Sequence, residues 1–431
     1  MRPLILLAIG CLLAPGVRQA QTVTAPPLSA DEAVQIATRN DPRLAAAAYT
    51  VAAARSGTRA ADTPTNPELT ITPSLTGGGG GSDTELLLRQ PLELNGARAA
   101  RRDLASARQR AAAAQALVAL RDVVFETRVA YAELVRVREQ AAVTRDLLQI
   151  SEALDSAAQK QVEAGARPAI EQTQTAIEVT RARQQATRAD AAVTAQEAAL
   201  NAALNRPPDT PIGPVSLLSS ATPPTLPSLE EATKAALANR AEIPAGTATA
   251  DTFRQEARLA QSEGIADFAP QFRATRITHG VQQSGFGLGI TVPLLDYGSR
   301  RNRVRQAKAS AQAEDARTEA TRVLVRQEAA QALAHARAAD TVLAAFIDPQ
   351  TGDILSQARH LLDASRLGYE AGKTGISQLL EAQRTYRQIQ NEYIDAEVAA
   401  ALARAELERA TGAVPATSFT TLPTAVTRKT R

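Results

Sequence analysis

Between Gly96 and Gly165 the sequence contains neither glycine nor proline. The residues in between are rich in Ala, Arg, Gln and Glu, which cost little in a helix. At about 1.5 Å per residue they predict a rod on the order of 100 Å long. A compact globular domain has no place for such an element. The rod is entered through a short strand-like run, Leu86-Leu87-Leu88-Arg89-Gln90-Pro91-Leu92-Glu93-Leu94-Asn95-Gly96. The same junction returns in the second half as Val292-Pro293-Leu294-Leu295-Asp296-Tyr297-Gly298-Ser299-Arg300, followed by a second stretch free of Gly and Pro as far as Asp348. The chain therefore reads as a duplicated strand-to-long-helix unit.

The openings of the two halves agree as well. Ser29 stands where a helix cap belongs, with Asp31 and Glu32 in the first turn, where the helix dipole favours negative charge. Asn40-Asp41-Pro42 ends that helix, and a second is expected over residues 43–61. Ser228, Glu230, Glu231 and Asn239 repeat the pattern. Past Ala164-Gly165 the chain is expected to turn and run back over residues 169–206, and past Ala371-Gly372 over residues 376–411. The longer half is interrupted by Pro349 and Gly352. The expected boundaries are a leader at 1–20, a first repeat at 28–206, a linker with seven prolines at 207–227, a second repeat at 228–412, and a disordered tail at 413–431.

Four segments read as strands. Residues 68–75 alternate polar and apolar, and after the glycine run at 77–81 residues 84–94 return, making a hairpin. Its counterpart is 271–278 and 286–292. In the last strand Phe286, Leu288, Ile290 and Val292 share one face while Gly287, Gly289 and Thr291 share the other, as a membrane barrel strand requires. The third, carrying Arg273 and Arg276, alternates poorly. Four strands cannot close a membrane barrel, because the smallest closed examples have about eight and an open edge in lipid leaves backbone groups unpaired. Membrane strands here imply several chains sharing one barrel; the pattern alone leaves two, three or four copies open. On the first rod Leu117, Leu120, Val124, Tyr131 and Leu134 form one apolar seam, and Val118, Phe125 and Val129 form a second beside it. Two seams let a helix touch a neighbour on each side and close into a cylinder.

Composition excludes several classes. Formal net charge is +3 with Arg and Glu mixed along the helices, which is a solvated surface and not a nucleic-acid stripe. There is no Trp, and aromatics make up 3%, so burial proceeds through many small contacts between close-packed helices. Arg2, an apolar run at 4–14 and small residues after it read as a secretory signal peptide, with cleavage after Gly16 or after Ala20 both open. Cys11, the only cysteine, follows Ala8-Ile9-Gly10 and leaves lipoprotein processing as an alternative. His279, His335 and His360 lack partners at metal-ligand spacing, so no metal site is expected. The glycine run lacks the Lys and Ser/Thr of a phosphate loop, and no nucleophile, base and orienter set stands out, so neither cofactor nor catalysis is expected.

The chain resembles the TolC family of outer-membrane efflux proteins, and within it the heavy-metal (CzcC-like) branch, over residues 28–412. The residues carrying the resemblance are Asn66-Pro67-Glu68-Leu69, the two junction motifs, Val162-Glu163-Ala164-Gly165, Tyr369-Glu370-Ala371-Gly372 and Leu379-Leu380-Glu381-Ala382-Gln383. The resemblance implies a mainly α fold with a small β part. Duplicated long-helix hairpins would form a trimeric α-barrel, continuous with a 12-stranded outer-membrane β-barrel to which each chain gives four strands. It implies a passive duct, working with a periplasmic adaptor (membrane fusion protein) and an inner-membrane pump of the resistance-nodulation-division type, and metal cations as cargo. The junctions Pro91, Gly96, Pro293 and Gly298 would join strand to helix. The turns at Ala164, Gly165, Ala371, Gly372 and Lys373 would dock the adaptor. Carboxylates that narrow the entrance in the family fall at Gln378 and Glu381, so the first is lost and the second kept. A basic gating residue falls at Thr374, another departure. Glu171 and Gln174 hold the corresponding places in the first repeat, and Glu171 with Glu381 is expected to ring the entrance; solvated surface acids are the alternative. Two further readings stay open: a duct for drugs or organic solutes, and a secreted coiled-coil scaffold without a pore.

Overall fold

The computed structural model describes residues 26–73, 84–217, 225–276, 282–292, 296–346 and 353–413. The leader with Cys11, the glycine run, Pro293, His279, Pro349, Gly352 and the tail beyond 413 lie outside the described residues.

Each repeat has the same order. In the first, helices α1 (Ala30–Asn40) and α2 (Pro42–Asp62) lead into strands β1 (Glu68–Pro73) and β2 (Thr84–Arg89), then α3 (Ala97–Glu163) and α4 (Ala169–Ala203). In the second, α5 (Leu229–Asn239) and α6 (Glu242–Ser262) lead into β3 (Asp267–Arg276) and β4 (Gln282–Thr291), then α7 (Ser299–Phe346), α8 (Ile354–Glu370) and α9 (Ile376–Thr411). The duplication reaches individual atoms. Ser29 with Glu32 and Ser228 with Glu231 form identical capping boxes at the starts of α1 and α5. Gly96 and Gly298 enter the long helices at φ +78° and +81°, a left-handed conformation that an L side chain strains to adopt.

The 67-residue α3 is the spine, packing along α2, α4, α6 and α9. Its first seam is buried at Leu120, Val124, Tyr131 and Leu134, while Leu117, expected on that seam, is exposed. Val123, next to Val124, is buried and widens the seam. The second seam, Val118, Phe125 and Val129, is half-buried, and Arg409 of α9 stacks 4.8 Å over the Phe125 ring. The described part of the proline-rich connection, 207–217, is not a free spacer. The Tyr131 hydroxyl stands within donating distance of two carbonyls, Leu28 O at 2.8 Å and Ser216 O at 3.1 Å, and Arg138 donates to Gly213 O at 2.6 Å and Ile212 O at 2.9 Å. Ile212, Val215 and Leu217 pack onto the core of the first repeat.

One ionic knot ties the repeats together. Arg121 of α3 and Arg240 before α6, both buried, converge on the carboxylate of Glu242. Arg240 reaches it at 2.8 and 3.0 Å and also pairs with Glu328 of α7 at 2.7 Å. Burial alone would raise the Glu242 carboxyl, but the hydrogen bonds from Arg121 and Arg240 outweigh it and bring the pKa down to about 2.

Candidate functional site

The four strands form one antiparallel sheet in the order β1-β2-β3-β4. Among the described residues nothing pairs with the outer edge of β1 or of β4. Residues directly opposite in an antiparallel sheet share a face, so the register sorts every side chain. The pairs Leu69↔Leu88, Ile71↔Leu86, Phe268↔Ile290, Pro270↔Leu288 and Phe272↔Phe286 put most of the large apolar groups on one face; Leu87, opposite Thr70 and Arg273, is the exception and lies on the other. The apolar face has no cover, with Phe286 90% and Leu288 60% exposed. The other face carries Glu68, Thr70, Thr72, Glu85, Arg89, Gln271, Arg273, Thr275 and the glycines 285, 287 and 289. There Arg273 pairs with Glu85 at 2.9 Å, and Arg89 with Glu68 at 3.6 Å and with Thr291 Oγ1 at 2.8 Å. The third strand, read from sequence as alternating poorly, alternates from Asp267 to Thr275, and Arg276 at its end falls in the apolar phase and breaks the pattern there. It begins at Asp267 and not at Gln271, so Phe268 and Phe272 set the apolar phase and Arg273 falls on the polar face. Arg276 lies at the strand end beside Thr84. A ten-residue strand is about 33 Å long, which at 45° spans roughly the 25 Å apolar band of an outer-membrane barrel. Among the described residues no helix is long and apolar enough to cross a membrane.

At the far end of the long helices lie the two turns. Gly165 (φ +69°) and Gly372 (φ +73°) end α3 and α8 in the same way. Ala166 N donates to Gln161 O at 2.8 Å, and Lys373 N to Gly368 O at 2.8 Å, each closing the last helical turn. The structure brings the two turns together through Arg167. Its guanidinium lies 5.0 Å over the Tyr369 ring, donates to Thr374 O at 3.2 Å and Tyr369 O at 3.4 Å, and pairs with Glu171 at 3.4 Å. The Tyr369 hydroxyl completes the circuit by donating to Glu171 Oε2 at 3.2 Å. Tyr369 is wholly buried, and burial together with the Glu171 charge pushes its phenol up.

Of the acids expected at this end, Glu171 is engaged in that circuit, its side chain 14% exposed. Glu381 is 71% exposed and 3.6 Å from Arg384, and Gln378 is exposed beside it. Sequence reasoning missed Arg167: the i,i+4 pair with Glu171 was a local signal, but the backbone carbonyls of Tyr369 and Thr374, some two hundred residues away, leave no side-chain signature. The described histidines, His335 and His360, have no ligand set, and no group of three or more His, Cys, Asp and Glu able to hold a metal occurs among the described residues.

An uncovered apolar sheet face with open edges, in a chain whose strands lead within a few residues into helices of 67 and 48 residues, defines the class of membrane-barrel proteins with a long helical extension. The profile of the outer membrane efflux protein family matches residues 33–206 and 232–413, and the chain belongs to that family. Solved structures share the fold. A membrane protein from Pseudomonas aeruginosa is 21% identical, with 89% of this chain and 90% of that one covered at a TM-score of 0.73. The outer membrane protein VceC of Vibrio cholerae is 18% identical over 89% and 96%, TM-score 0.71. The CmeC outer membrane channel of Campylobacter jejuni is 15% identical over 89% and 85%, TM-score 0.73. No curated protein matches the sequence.

Proposed function

We propose that this chain is the outer-membrane duct of a tripartite efflux system. Three copies pool their strands into one twelve-stranded barrel, and their long helices form a tunnel across the periplasm. The carrying observation is the uncovered apolar sheet face with both edges open, which a single chain cannot place in lipid. A pore-free secreted scaffold leaves that face in water and is disfavoured. The repeats 28–206 and 228–412 each supply one hairpin of strands and one of helices. The turns at Ala164, Gly165, Ala371, Gly372 and Lys373 meet the periplasmic adaptor, which links the duct to a resistance-nodulation-division pump. Transport energy comes from that pump, so the chain needs no catalytic group.

Arg167 holds the two turns of one copy together at the tunnel mouth. Its charged hydrogen bonds contribute roughly 1.5–3 kcal/mol and its place over Tyr369 about another 0.5–2 kcal/mol. Arg167→Ala is therefore expected to raise the open fraction of the mouth on the order of 30-fold or more. Planar-bilayer recordings should show a clear rise in conductance, and cells should leak more large antibiotics. Conductance equal to wild type refutes the latch.

Glu381, presented by three copies, makes the mouth attractive to cations. Glu381→Gln is expected to weaken the block of conductance by divalent cations. Unchanged sensitivity rejects the assignment. Metal cations are the proposed cargo, on the likeness of the junction and turn motifs to the heavy-metal branch. A deletion strain that loses tolerance of zinc, cobalt or cadmium but keeps it for organic solutes supports this; the reverse favours the drug-efflux reading.

A further inference from the structure

The starts of the two long helices occupy equivalent places at the end of the sheet, and both carry arginine where helices ordinarily carry acid. In the first repeat the protein neutralises most of that charge. Arg98 pairs with Asp62 at 3.5 Å, and Arg101 forms a two-point pair with Glu93. In the second repeat Arg303 pairs with Glu263 at 2.6 Å and Arg300 lies 3.8 Å from Asp296. Arg301, Arg305 and Lys308 are exposed and make no ion pair or hydrogen bond among the described residues. The nearest acid, Asp296, feels Arg301 but is held by the Gly298 N–H and by Arg300. At spacings of four and three these cations share one face of α7.

That face lies directly under the membrane strands. β4 ends at Thr291 and α7 begins at Ser299; between them Tyr297 is 92% exposed, an amphipathic ring at the boundary. From Arg301 to Lys308 is about 10 Å along the helix. The headgroup layer on one side of a bilayer is about 5–7 Å thick, and charge acts about 8 Å beyond it at physiological salt. All three cations fall within that reach. The neighbouring copy has a better place to pack, since the exposed Ala309, Ala313, Ala316 and Ala320 line a different face of α7, where a helix backbone can approach closely.

We propose that Arg301, Arg305 and Lys308 bind anionic phospholipid headgroups of the periplasmic leaflet and so fix the depth of the barrel. This inference rests on the membrane-barrel reading above. Each Lys or Arg near an anionic surface contributes roughly fivefold in affinity, so the stripe predicts at least a tenfold preference for anionic over zwitterionic lipid after salt screening. The test is native mass spectrometry of the detergent-purified full-length protein titrated with dihexanoyl-phosphatidylglycerol, with dihexanoyl-phosphatidylcholine in parallel. Wild type should show the preference, and R301Q/R305Q/K308Q should lose it while keeping wild-type conductance in planar bilayers. R301K/R305K, which keeps the charge, should retain it. A glutamine variant that still prefers phosphatidylglycerol overturns the proposal. So does displacement of the lipid by an equal concentration of inorganic phosphate, which would mark a site for free anions. Failure of wild type itself to conduct marks instead a failure of the barrel reading.

Discussion

Leu288→Arg is expected to remove the protein from the outer membrane, whereas Gly285→Glu, three residues earlier in the same strand, is expected to leave it there. Leu288 stands on the apolar face opposite Pro270. An arginine on the lipid face near mid-membrane costs roughly 2–4 kcal/mol, and three copies in one barrel bring that to roughly 6–12 kcal/mol. That is comparable to the whole stability of an ordinary domain. Gly285 points to the opposite face, opposite Arg273, and a Cβ built there meets nothing within 4 Å. Its glutamate would enter the lumen beside a cation, so assembly should persist and cation selectivity should rise. Membrane fractionation separates the two outcomes. Equal membrane content for both variants contradicts the assignment of faces.

Glu242→Ala is the second large effect, and it acts on the folded chain alone. The substitution leaves Arg121 and Arg240, both buried, without the carboxylate they share. Breaking a buried pair from one side costs roughly 3–5 kcal/mol, because the stranded charge stays desolvated. Since Arg121 lies in the first repeat and Glu242 in the second, separation of the repeats should begin here. Denaturant unfolding should show an unfolding free energy lowered by that amount, and the midpoint lowered in proportion, with Glu242→Gln intermediate. The same group gives a pH dependence of definite sign. Its folded pKa of about 2 lies below the ordinary carboxylate value. The stabilisation, at most about 3 kcal/mol, is therefore complete above the unfolded pKa and lost as pH falls through about 4 towards 2. Glu139 and Glu397, half-buried between α3 and α9, act oppositely. Burial raises both, and the Glu397 charge raises Glu139 further. Their contribution is fully present below the ordinary carboxylate pKa and is lost as pH rises through their elevated values.

Much of this architecture was legible because it is written in breaks. The absence of Gly and Pro marks α3 and α7, and the left-handed glycines bound the long helices, Gly96 and Gly298 at their entries and Gly165 and Gly372 at the turns off α3 and α8. The strands were harder. Reading the third from Gln271 omits Phe268, the residue that fixes its alternation, and a six- or ten-residue strand gives little else to judge by. The connection at 207–217 looked like a spacer because proline reports only the lack of donors. What seats it is the Tyr131 hydroxyl and Arg138, side chains on a distant helix. At the far end of the long helices the glycines announced the turns, but the circuit of Arg167, Tyr369 and Glu171 arises from folding the second repeat against the first.

The measurement that bears most directly on the shared barrel is the mass of the detergent-solubilised mature protein, taken together with its activity in a planar bilayer. Three chains per particle and steady ion conductance are the expected result. A single chain that passes no ions would contradict the account.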